Sequence, residues 1–425
     1  MAELRVTSAV VAAVMILGTY TTRGKAECIV NIGSDLGYRS PLILTQNTAE
    51  FGGMGFLLPS TSTPRASLYN GEEVALLCAG SNNRLNISGT VSQLEEANVR
   101  CDTGSSFEYS SQYLPITDFQ CTAVPQSTIR GNGTCSSGQK RLQIGYQMSS
   151  DRFIRLIDMC FDDVNYSTHY VNYTLANGIQ RRQVFEHGSE VDRVDYYNSL
   201  PDSPDVYYTC SNQQRTVGRL VGSSRVNRYI KCSNNINYVA KAHLAAVPDF
   251  MYFAQQESTK HHVNVVPMWY SIKNGNWLNL EEEIRQYASN TSRAPSDLVI
   301  YSGTLGITNL DNHRIYLGRD SNNLNVVPVP QWVWKLVYEP TTKEGIVFLV
   351  VNNPYRLSFT CRCVCAQTQW TRAWNRADAH KGYVYCCSVN NFRSVFSGLP
   401  NFEVTGLLTK NRPYTPPLFP DIAAQ

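Results

Sequence analysis

Cysteine content is the feature that most restricts the folds open to this chain. Thirteen cysteines occur among 425 residues, and all of them follow an apolar stretch at residues 8–17. This number is high for a protein of a reducing compartment and ordinary for one that folds where disulfides form. We therefore expect loops and small modules that are cross-linked by disulfide bonds. Because thirteen is odd, we expect one thiol to be left over.

The N-terminal segment predicts secretion. Arg5 precedes the apolar stretch, and a polar run at residues 18–26 follows it. The apolar core is too short to cross a bilayer, so we predict a secretory signal over residues 1–26. No later segment has eighteen uninterrupted apolar residues, which predicts that the mature chain has no membrane anchor. Five Asn-x-Ser/Thr sequons predict N-linked glycans, and they begin at Asn86, Asn132, Asn165, Asn172 and Asn290.

The composition changes along the chain and predicts two units. Residues 27–135 are rich in Ser, Thr, Gly and Asn, and they contain short apolar runs such as 74–78 between turn residues. This pattern predicts a small β-rich module that is stapled by disulfides. A Gly/Ser/Asn cluster at residues 131–138 marks the expected boundary. Beyond it we predict a larger α+β domain over residues 140–410, followed by a tail over 411–425.

Apolar runs within the larger domain predict its main elements. Buried strands are expected at residues 229–231, 298–301, 332–337 and 345–351. The clearest helical pattern covers residues 278–287, where Leu280, Ile284 and Tyr287 fall on one face. Mixed strands and helices of this kind are typical of an α+β fold.

Five of the cysteines lie close together near the C-terminus. Cys361, Cys363 and Cys365 form a Cys-x-Cys-x-Cys run, and Cys386 and Cys387 follow. A zinc site is one interpretation, but in a secreted chain the pattern favours disulfides. Alternate residues of a strand point to opposite faces, so Cys361 and Cys365 would share a face. Cys363 is therefore our candidate for the leftover thiol.

The distribution of charge is more informative than the net charge of +3. No Asp or Glu occurs from residue 206 to residue 248, whereas six cations do. Such a stretch predicts a cationic stripe that faces phosphates. An equally good interpretation is a solvated face whose cations pair with carboxylates from elsewhere in the fold. The stripe consists of Arg215, Arg219, Arg225, Arg228, Lys231 and Lys241.

One series of short motifs indicates the chemistry. Lys241-Ala242-His243 precedes Asn264-Val265-Val266-Pro267, and Asn274-Gly275-Asn276-Trp277 and Glu281 follow. The series resembles the DNA/RNA non-specific endonucleases, most closely their arthropod salivary and gut members. In those proteins Arg-Gly-His precedes Asn-x-x-Pro-Gln and an Asn-Gly-Gly-Asn-Trp segment. The likeness covers most of the chain after about residue 140, keeps the spacing, and extends to residues 304–306, 328–335, 352–354 and 361–387.

The resemblance implies a ββα-metal fold and a site with one Mg²⁺. His243 matches the general base that activates a water for attack on phosphorus, while the metal stabilises charge on the leaving oxygen. Glu281 matches the acidic residue that supports the hydrated metal, and Asn264 matches a residue that orients the site by hydrogen bonds. Lys241 matches an arginine at the phosphate, and Trp277 is expected to pack in the core.

Four departures from the family pattern affect this site. Lys241 keeps the charge of the family's arginine but loses its planar fork for phosphate. Ala242 replaces a glycine and forbids a positive φ without strain. Met268 is apolar where the family has glutamine. The metal-ligating asparagine of the family would lie nine residues after Asn264, and that position is Lys273.

Lys273 is the departure with the largest expected effect. An ammonium cannot ligate a cation, and it would oppose Mg²⁺ by up to roughly 8 kcal/mol at 4 Å and an effective dielectric constant of 20. Asn274 is a substitute ligand, but on a helix adjacent side chains point about 100° apart. We therefore expect Lys273 to bind the scissile phosphate itself.

More cations flank this centre, at Lys260, His261 and His262. Aromatic and cationic residues alternate near the C-terminus, a pattern that binds single-stranded nucleic acid but is also common on surfaces; they are Trp370, Arg372, Trp374, Arg376 and Lys381. The predicted nucleic-acid contacts are Arg372, Arg376, Lys273, Asn264 and the cationic stripe.

The predicted function is extracellular, sequence-independent binding of DNA and RNA, with weak or residual Mg²⁺-dependent cleavage. The altered motif resembles that of nucleic-acid-binding salivary proteins of blood-feeding flies. One alternative is a fully competent endonuclease whose metal is held by Asn274, Glu281 and waters. Another is a secreted glycoprotein that keeps only the fold and binds a protein partner.

Overall fold

A computed structural model describes residues 26–46, 55–59, 63, 65–135, 138–148, 151–185, 193, 195–197, 200–233, 236–290, 296–356, 365, 368–371 and 375–409. The predicted secretory signal and the tail over 411–425 lie outside the described residues, apart from residue 26. Among the described helices, none is long and apolar enough to cross a membrane.

The N-terminal part of the chain consists of short antiparallel strands. They are β1 Ala26–Asn31, β2 Leu42–Thr45, β3 Gly55–Phe56, β4 Arg65–Tyr69, β5 Glu73–Leu77, β6 Leu85–Ile87, β7 Thr90–Val91, β8 Glu96–Cys101, β9 Ser106–Tyr109, β10 Gln112–Pro115 and β11 Phe119–Cys121. Six of them form a sheet in the order β10-β9-β8-β5-β2-β3. Alternate residues of β8 are buried, as expected for a strand with one solvated face. The disulfides Cys28–Cys101 and Cys78–Cys121 link this part, which confirms the stapled β-rich module.

The later strands build a larger sheet and several hairpins. They are β12 Thr128–Thr134, β13 Lys140–Gln147, β14 Phe153–Asp162, β15 Ser167–Leu175, β16 Val239–His243, β17 Val265–Trp269, β18 Leu298–Ile307, β19 Asn309–Leu310, β20 His313–Arg314, β21 Tyr316–Arg319, β22 Asn325–Pro328, β23 Pro330–Glu339, β24 Glu344–Val351, β25 Val384–Cys387 and β26 Gly406–Leu407. The large sheet has the order β12-β13-β14-β15-β18-β23-β24-β25, and β26 also pairs with β24. The strands expected at 298–301, 332–337 and 345–351 all lie in this sheet.

The large sheet begins earlier than the expected boundary at residues 131–138. β12 pairs with β13, so this glycine-rich cluster forms the end of a strand and the turn that follows it. Gly133 has a φ of 80°, a value that suits glycine. The disulfide Cys135–Cys160 ties the turn to β14. The change from the N-terminal sheets to the large sheet therefore lies between β11 and β12.

The α-helices are short and lie mainly in the second half of the chain. They are α1 Pro204–Tyr207, α2 Cys210–Val221, α3 Phe253–Glu257, α4 Tyr270–Ile272, α5 Leu278–Ala288 and α6 Val389–Arg393. On α5 the predicted apolar face of Leu280, Ile284 and Tyr287 is buried. The strand expected at residues 229–231 is absent from the described strands, because these residues follow a 3-10 turn at Val226–Arg228 and only Ile230 is buried.

The two parts of the molecule share contacts across their junction. The Phe56 ring packs against Tyr146 and Tyr252 of the larger domain, with ring centroids 6.1 and 6.2 Å apart. The Tyr252 hydroxyl donates to the carbonyl of Leu57, and the Gln183 amide donates to the carbonyl of Leu36 at 2.7 Å. Apolar packing and buried hydrogen bonds therefore hold the N-terminal module against the larger domain.

Candidate active-site cleft

A strand–strand–helix unit forms the candidate site. β16 pairs with β17 in antiparallel register, with His243 opposite Val265, and α4 and α5 follow β17 along the chain. A cleft of about 160 Å³ lies between the end of β16 and the start of α5. The structure brings four predicted site residues to this cleft, namely His243, Lys273, Asn274 and Glu281.

Strand geometry places His243 at the cleft. Lys241 and His243 are partly exposed, whereas Ala242 between them is buried, as the two-residue period of a strand requires. Ala242 lies opposite Val266 in the paired strand, in extended backbone that any residue adopts. The replacement of the family's glycine therefore introduces no strain at this position.

Asn264 fixes the chain just after His243. Its side-chain oxygen accepts a hydrogen bond from the Ala245 amide at 2.9 Å, and its side-chain nitrogen donates to the carbonyls of Ala245 and Thr259 at 3.0 and 2.9 Å. The side chain is fully buried. Asn264 is therefore placed to orient the site, as the resemblance implies, and this burial leaves it no surface with which to contact nucleic acid.

The segment that leads into α5 is not a regular helix. Gly275 breaks the wide turn at Lys273–Trp277 with φ −103° and ψ −120°. A Cβ atom at Gly275 would lie 2.9 Å from the Lys381 Cα, so this close approach requires glycine. Lys273 and Asn274, the two residues before this break, both line the cleft. The expectation that helical geometry points their side chains about 100° apart stays a prediction.

Two further asparagines of the matched motifs bind backbone. The Asn276 side chain donates to the carbonyls of Asn375 and Gly382 at 2.9 and 2.6 Å. The Asn352 side chain accepts from the Trp269 amide at 3.0 Å, and it also donates to two proline carbonyls. Both residues are fully buried. The sequence signal was their place in the motifs, but their partners lie 22 to 106 residues away along the chain.

Lys273 brings positive charge to the cleft. Its side chain is partly exposed, and no hydrogen bond or ion pair engages it within the described ranges. Asn274 beside it is exposed. The Lys273 ammonium is therefore available to a ligand that enters the cleft.

Glu281 lies on the inner side of the cleft and is only 8% exposed. Burial raises the pKa of its carboxyl. Its Oε1 atom is 3.5 Å from the Lys335 Nζ, and it accepts no hydrogen bond from the described residues. Trp277, which also borders the cleft, is buried, as expected for a core residue.

The oxygen donors at the cleft are compatible with a loosely held Mg²⁺. Mg²⁺ keeps several waters and needs only one or two oxygen ligands from the protein. Of the residues that line the cleft, Glu281 and Asn274 carry oxygens of this kind and would hold the ion, whereas the Lys273 ammonium would oppose it. Among the described residues no group of three or more His, Cys, Asp or Glu forms a stronger metal site.

The cationic stripe divides into paired and exposed members. Lys241 forms an ion pair with Asp205 at 3.0 Å, and Arg225 lies 3.5 Å from Asp311. These two follow the interpretation of a solvated face with carboxylate partners. No carboxylate of the described residues lies within 4.0 Å of the other four, which are exposed; they are Arg215, Arg219, Arg228 and Lys231.

The expected flanking cations at Lys260, His261 and His262 are buried instead. Lys260 pairs with Glu257 at 2.7 Å, and the His262 Nε2 lies 3.2 Å from an oxygen of Asp205. A charged side chain is buried only with partners that compensate its charge. These residues therefore support the fold and are not a surface for phosphates.

His261 belongs to a buried junction with residues of other segments. Its Nδ1 lies 2.8 Å from Asp195, and its Nε2 lies 3.1 Å from the Ser127 hydroxyl. This order of Ser, His and Asp is known from hydrolases, but Ser127 is only 4% exposed and its hydroxyl also accepts from Arg193 at 3.3 Å. The arrangement therefore links the chain just before β12 to the segments that contain Asp195 and His261.

The C-terminal aromatic and cationic residues are also used internally. The Trp370 ring stacks on Tyr287 at 4.5 Å and is 7% exposed, so it is not available to stack on a base. The Arg376 guanidinium donates to the carbonyls of Thr371 and Cys365 at 2.9 and 3.3 Å. Arg376 therefore stabilises its own loop. Arg372 and Trp374 lie outside the described residues.

Disulfides cross-link the larger domain as well. Cys210–Cys232 closes the segment around α2, and Cys365–Cys386 joins the C-terminal cysteine cluster to β25. The second of these agrees with the interpretation of the cluster as disulfides. Cys361 and Cys363 lie outside the described residues. The assignment of Cys363 as the leftover thiol stays a prediction.

The cleft lies within the range of a known family. A model of the DNA/RNA non-specific endonuclease family matches residues 137–392, which include all four cleft residues. This chain belongs to that family. The match confirms the resemblance drawn from the motifs, and it places the N-terminal module outside the shared domain.

Three relatives of this non-specific endonuclease family member come from biting flies. The "Salivary endonuclease" of Lutzomyia longipalpis is 26% identical over 340 residues, which cover 78% of this chain and 74% of the relative. "Salivary protein Tsal2A" of Glossina morsitans morsitans is 23% identical over 90% of this chain and 94% of its own length. "Salivary protein Tsal1" of the same fly is 24% identical over 80% and 83%. These matches extend the likeness beyond the shared domain.

Proposed function

We propose that this protein binds DNA and RNA without sequence preference and cleaves them slowly with Mg²⁺. One observation carries the proposal: the Lys273 ammonium lines the same cleft as His243 and Glu281. In the family a neutral metal-binding amide is expected at this position. A lysine there binds phosphate directly, while it weakens the site for a divalent cation.

Each cleft residue has a proposed role. His243 accepts the proton of the attacking water, and Lys273 binds a non-bridging phosphate oxygen. Glu281 and Asn274 would hold Mg²⁺, which supplies charge stabilisation at the leaving oxygen when it is bound. Lys241 supports His243 from the same face of β16, but its ion pair with Asp205 reduces the charge that it offers to a phosphate.

The exposed arginines of the stripe extend the proposed binding surface. Arg215 and Arg219 lie one turn apart on α2 and are exposed. Contacts of this type are made to phosphates and give affinity without sequence information. We further propose that the protein acts outside the cell, in view of its predicted secretory signal, its disulfides and its relatives with salivary names.

A fully active endonuclease is the second candidate. It is favoured by the place of Asn274, whose side chain lines the cleft beside Lys273 and offers an oxygen to the metal. In that case Lys273 would turn towards solvent when Mg²⁺ binds. The name "Salivary endonuclease" of the relative with 26% identity is compatible with this candidate.

A gel-shift assay and a plasmid-nicking assay on one preparation separate these functions. We expect binding of random duplex DNA and of RNA without Mg²⁺, and slow nicking with it. Nicking that saturates at low Mg²⁺ and proceeds at the rate of a related active nuclease would favour the second candidate. Absence of both binding and nicking would contradict both candidates and favour a scaffold that binds another partner.

A further inference from the structure

A lysine lies buried in the middle of the large sheet. Lys335 is in β23, between Ser302 of β18 and Phe348 of β24, and is only 1% exposed. Removing an ammonium from water is unfavourable, and an apolar side chain of similar size commonly fits such a place at least as well. The contacts of Lys335 must therefore offset the cost of burying its charge.

Three oxygens surround the Lys335 ammonium. Its Nζ donates to the Leu244 carbonyl at 2.9 Å and to the Tyr173 hydroxyl at 3.4 Å, and it lies 3.5 Å from the Glu281 Oε1. Two of its N–H groups donate to the Leu244 carbonyl and the Tyr173 hydroxyl, and the ammonium forms an ion pair with the Glu281 carboxylate. The Trp277 ring covers another side, with its centroid 5.0 Å from Nζ.

These oxygens come from separate parts of the candidate site. Leu244 is the residue directly after His243, and Glu281 is on α5. Tyr173 is on β15, and its hydroxyl donates to Asp249, which forms an ion pair with Arg285 of α5 at 2.7 Å. One buried ammonium thus contacts the strand end that presents the proposed base, and the carboxylate of the proposed metal site.

We propose that Lys335 is a positioning residue of the cleft. It fixes the Glu281 carboxylate relative to the chain that follows His243, and it thereby sets how tightly the cleft holds Mg²⁺. The inference rests on the proposed function, because it concerns the metal of the same cleft. Loss of Lys335 removes a positive charge, which by itself would favour Mg²⁺ binding. It also frees the Glu281 carboxylate to move. We expect the second effect to dominate, because groups that orient metal-binding residues strongly affect metal affinity.

The test compares two buried lysines that each pair with a glutamate. Lys335→Met is expected to raise the Mg²⁺ concentration for half-saturation by roughly 10- to 100-fold, and to leave metal-free DNA affinity unchanged. Lys260→Met is the matched control, because it breaks the buried Lys260–Glu257 pair outside the cleft. It is expected to lower the melting temperature without changing the Mg²⁺ midpoint. The midpoint is measured by calorimetry and by the rise in melting temperature, without nucleic acid.

The outcomes are distinct from those that test the proposed function. An Mg²⁺ midpoint of Lys335→Met equal to that of the wild type would overturn the inference, and so would absence of Mg²⁺ binding by the wild type at millimolar concentrations. Metal-free DNA binding by the wild type, measured on the same preparation, tests the proposed function by itself. If Lys335→Met does not fold, Tyr173→Phe removes one of the three oxygens around the ammonium. It is expected to weaken Mg²⁺ binding, and an unchanged midpoint would overturn the inference.

Discussion

At the scale of single residues, we propose that the side chain at position 273 decides between tight nucleic-acid binding and metal-dependent cleavage. A neutral amide there would add an oxygen ligand beside Glu281, whereas the ammonium adds a phosphate contact and repels a divalent cation. Two other residues of the family's motifs, His243 and Glu281, line the same cleft, and Asn264 binds the chain just after His243. The catalytic level of this protein should therefore respond strongly to Lys273.

Lys273→Asn is expected to increase Mg²⁺-dependent nicking and to weaken metal-free binding, because it exchanges one phosphate contact for one metal ligand. The nicking rate is measured across a Mg²⁺ titration at fixed ionic strength. His243→Ala in the Lys273→Asn background should abolish the gained activity, since the water loses its base. If the wild type already nicks as fast as the variant and saturates at the same Mg²⁺, Asn274 or another group holds the metal.

At the scale of elements, side-chain amides hold the strand–strand–helix unit together. Asn264 ties the end of β16 to the chain before β17, and Asn276 ties the turn before α5 to the loop at residues 375–382. Each amide satisfies backbone groups that would otherwise be buried without partners. The geometry of the cleft thus depends on residues that do not contact a ligand.

Asn264→Ala is expected to lower the free energy of unfolding by about 2–3 kcal/mol, because it leaves buried backbone groups of Ala245 and Thr259 unsatisfied. In the Lys273→Asn background, Asn264→Ala should also abolish the nicking activity that Lys273→Asn gains. Asn83→Ala is the matched control, since Asn83 is buried in the N-terminal module and makes hydrogen bonds of the same kind to Ala79 and Ala123. Urea unfolding measures both variants. Undiminished nicking by the double variant Asn264→Ala, Lys273→Asn would contradict the role of Asn264 in shaping the cleft.

The junction around His261 gives a prediction about pH. A hydrogen bond from His261 holds the pKa of Asp195 below its usual value. Such a carboxylate stabilises the fold above the unfolded pKa, about 3.9, and loses this effect as the pH falls through its lower folded pKa. Asp195→Asn should therefore lower the melting temperature at pH 5–7, and the difference should shrink as the pH falls below about 3.9.

The effect of Asp195→Asn should be small, because the carboxyl is 48% exposed and exposed pairs contribute about 1 kcal/mol or less. Melting curves of both proteins across this pH range provide the measurement. A difference in melting temperature that grows as the pH falls would contradict a stabilising contribution from the ionised Asp195 carboxylate.

The position of a sequon in the sheet predicts whether its asparagine carries a glycan. Asn172 lies in β15, between β14 and β18, and its side-chain nitrogen is buried. Asn132 lies in the edge strand β12 and is exposed. We therefore expect a glycan at Asn132 and none at Asn172, because the folded sheet leaves little room on the latter nitrogen. Peptide mapping after enzymatic deglycosylation in heavy water measures both sites, and full occupancy at Asn172 would contradict this placement.

At the scale of the whole molecule, charge governs the proposed binding. The net charge of +3 is small, but four exposed cations of the stripe lie without described carboxylate partners. Affinity for duplex DNA should fall steeply with salt, with a log-log slope of about −0.9 for each phosphate contacted. The slope should be nearly the same for unrelated sequences, since phosphate contacts do not distinguish bases.

Arg215→Gln and Arg219→Gln together are expected to reduce the magnitude of this slope by up to about 2, because two phosphate contacts are lost. Arg65→Gln, at an exposed position of β4 in the N-terminal module, is the control and should leave the slope unchanged. Filter binding at several salt concentrations measures all three proteins. An unaltered slope in the double variant would place the DNA elsewhere on the surface.

The amino-acid sequence was enough to predict the family, the stapled N-terminal module and the apolar face of α5. These properties follow from local order: motif spacing, cysteine number and a helical period over residues 278–287 are all present in the linear chain. It also located His243, Lys273 and Glu281 as the candidate centre, because the spacing between the motifs is kept.

Tertiary structure alone decided which polar side chains face solvent. His261 and His262 resemble surface cations in the sequence, but both are buried, and their partners Asp195 and Asp205 lie 66 and 57 residues away along the chain. The role proposed for Lys335 depends on contacts with residues 54 to 162 positions away. Burial and pairing are set by such long-range contacts, whereas a sequence pattern reports only which neighbours a residue has along the chain.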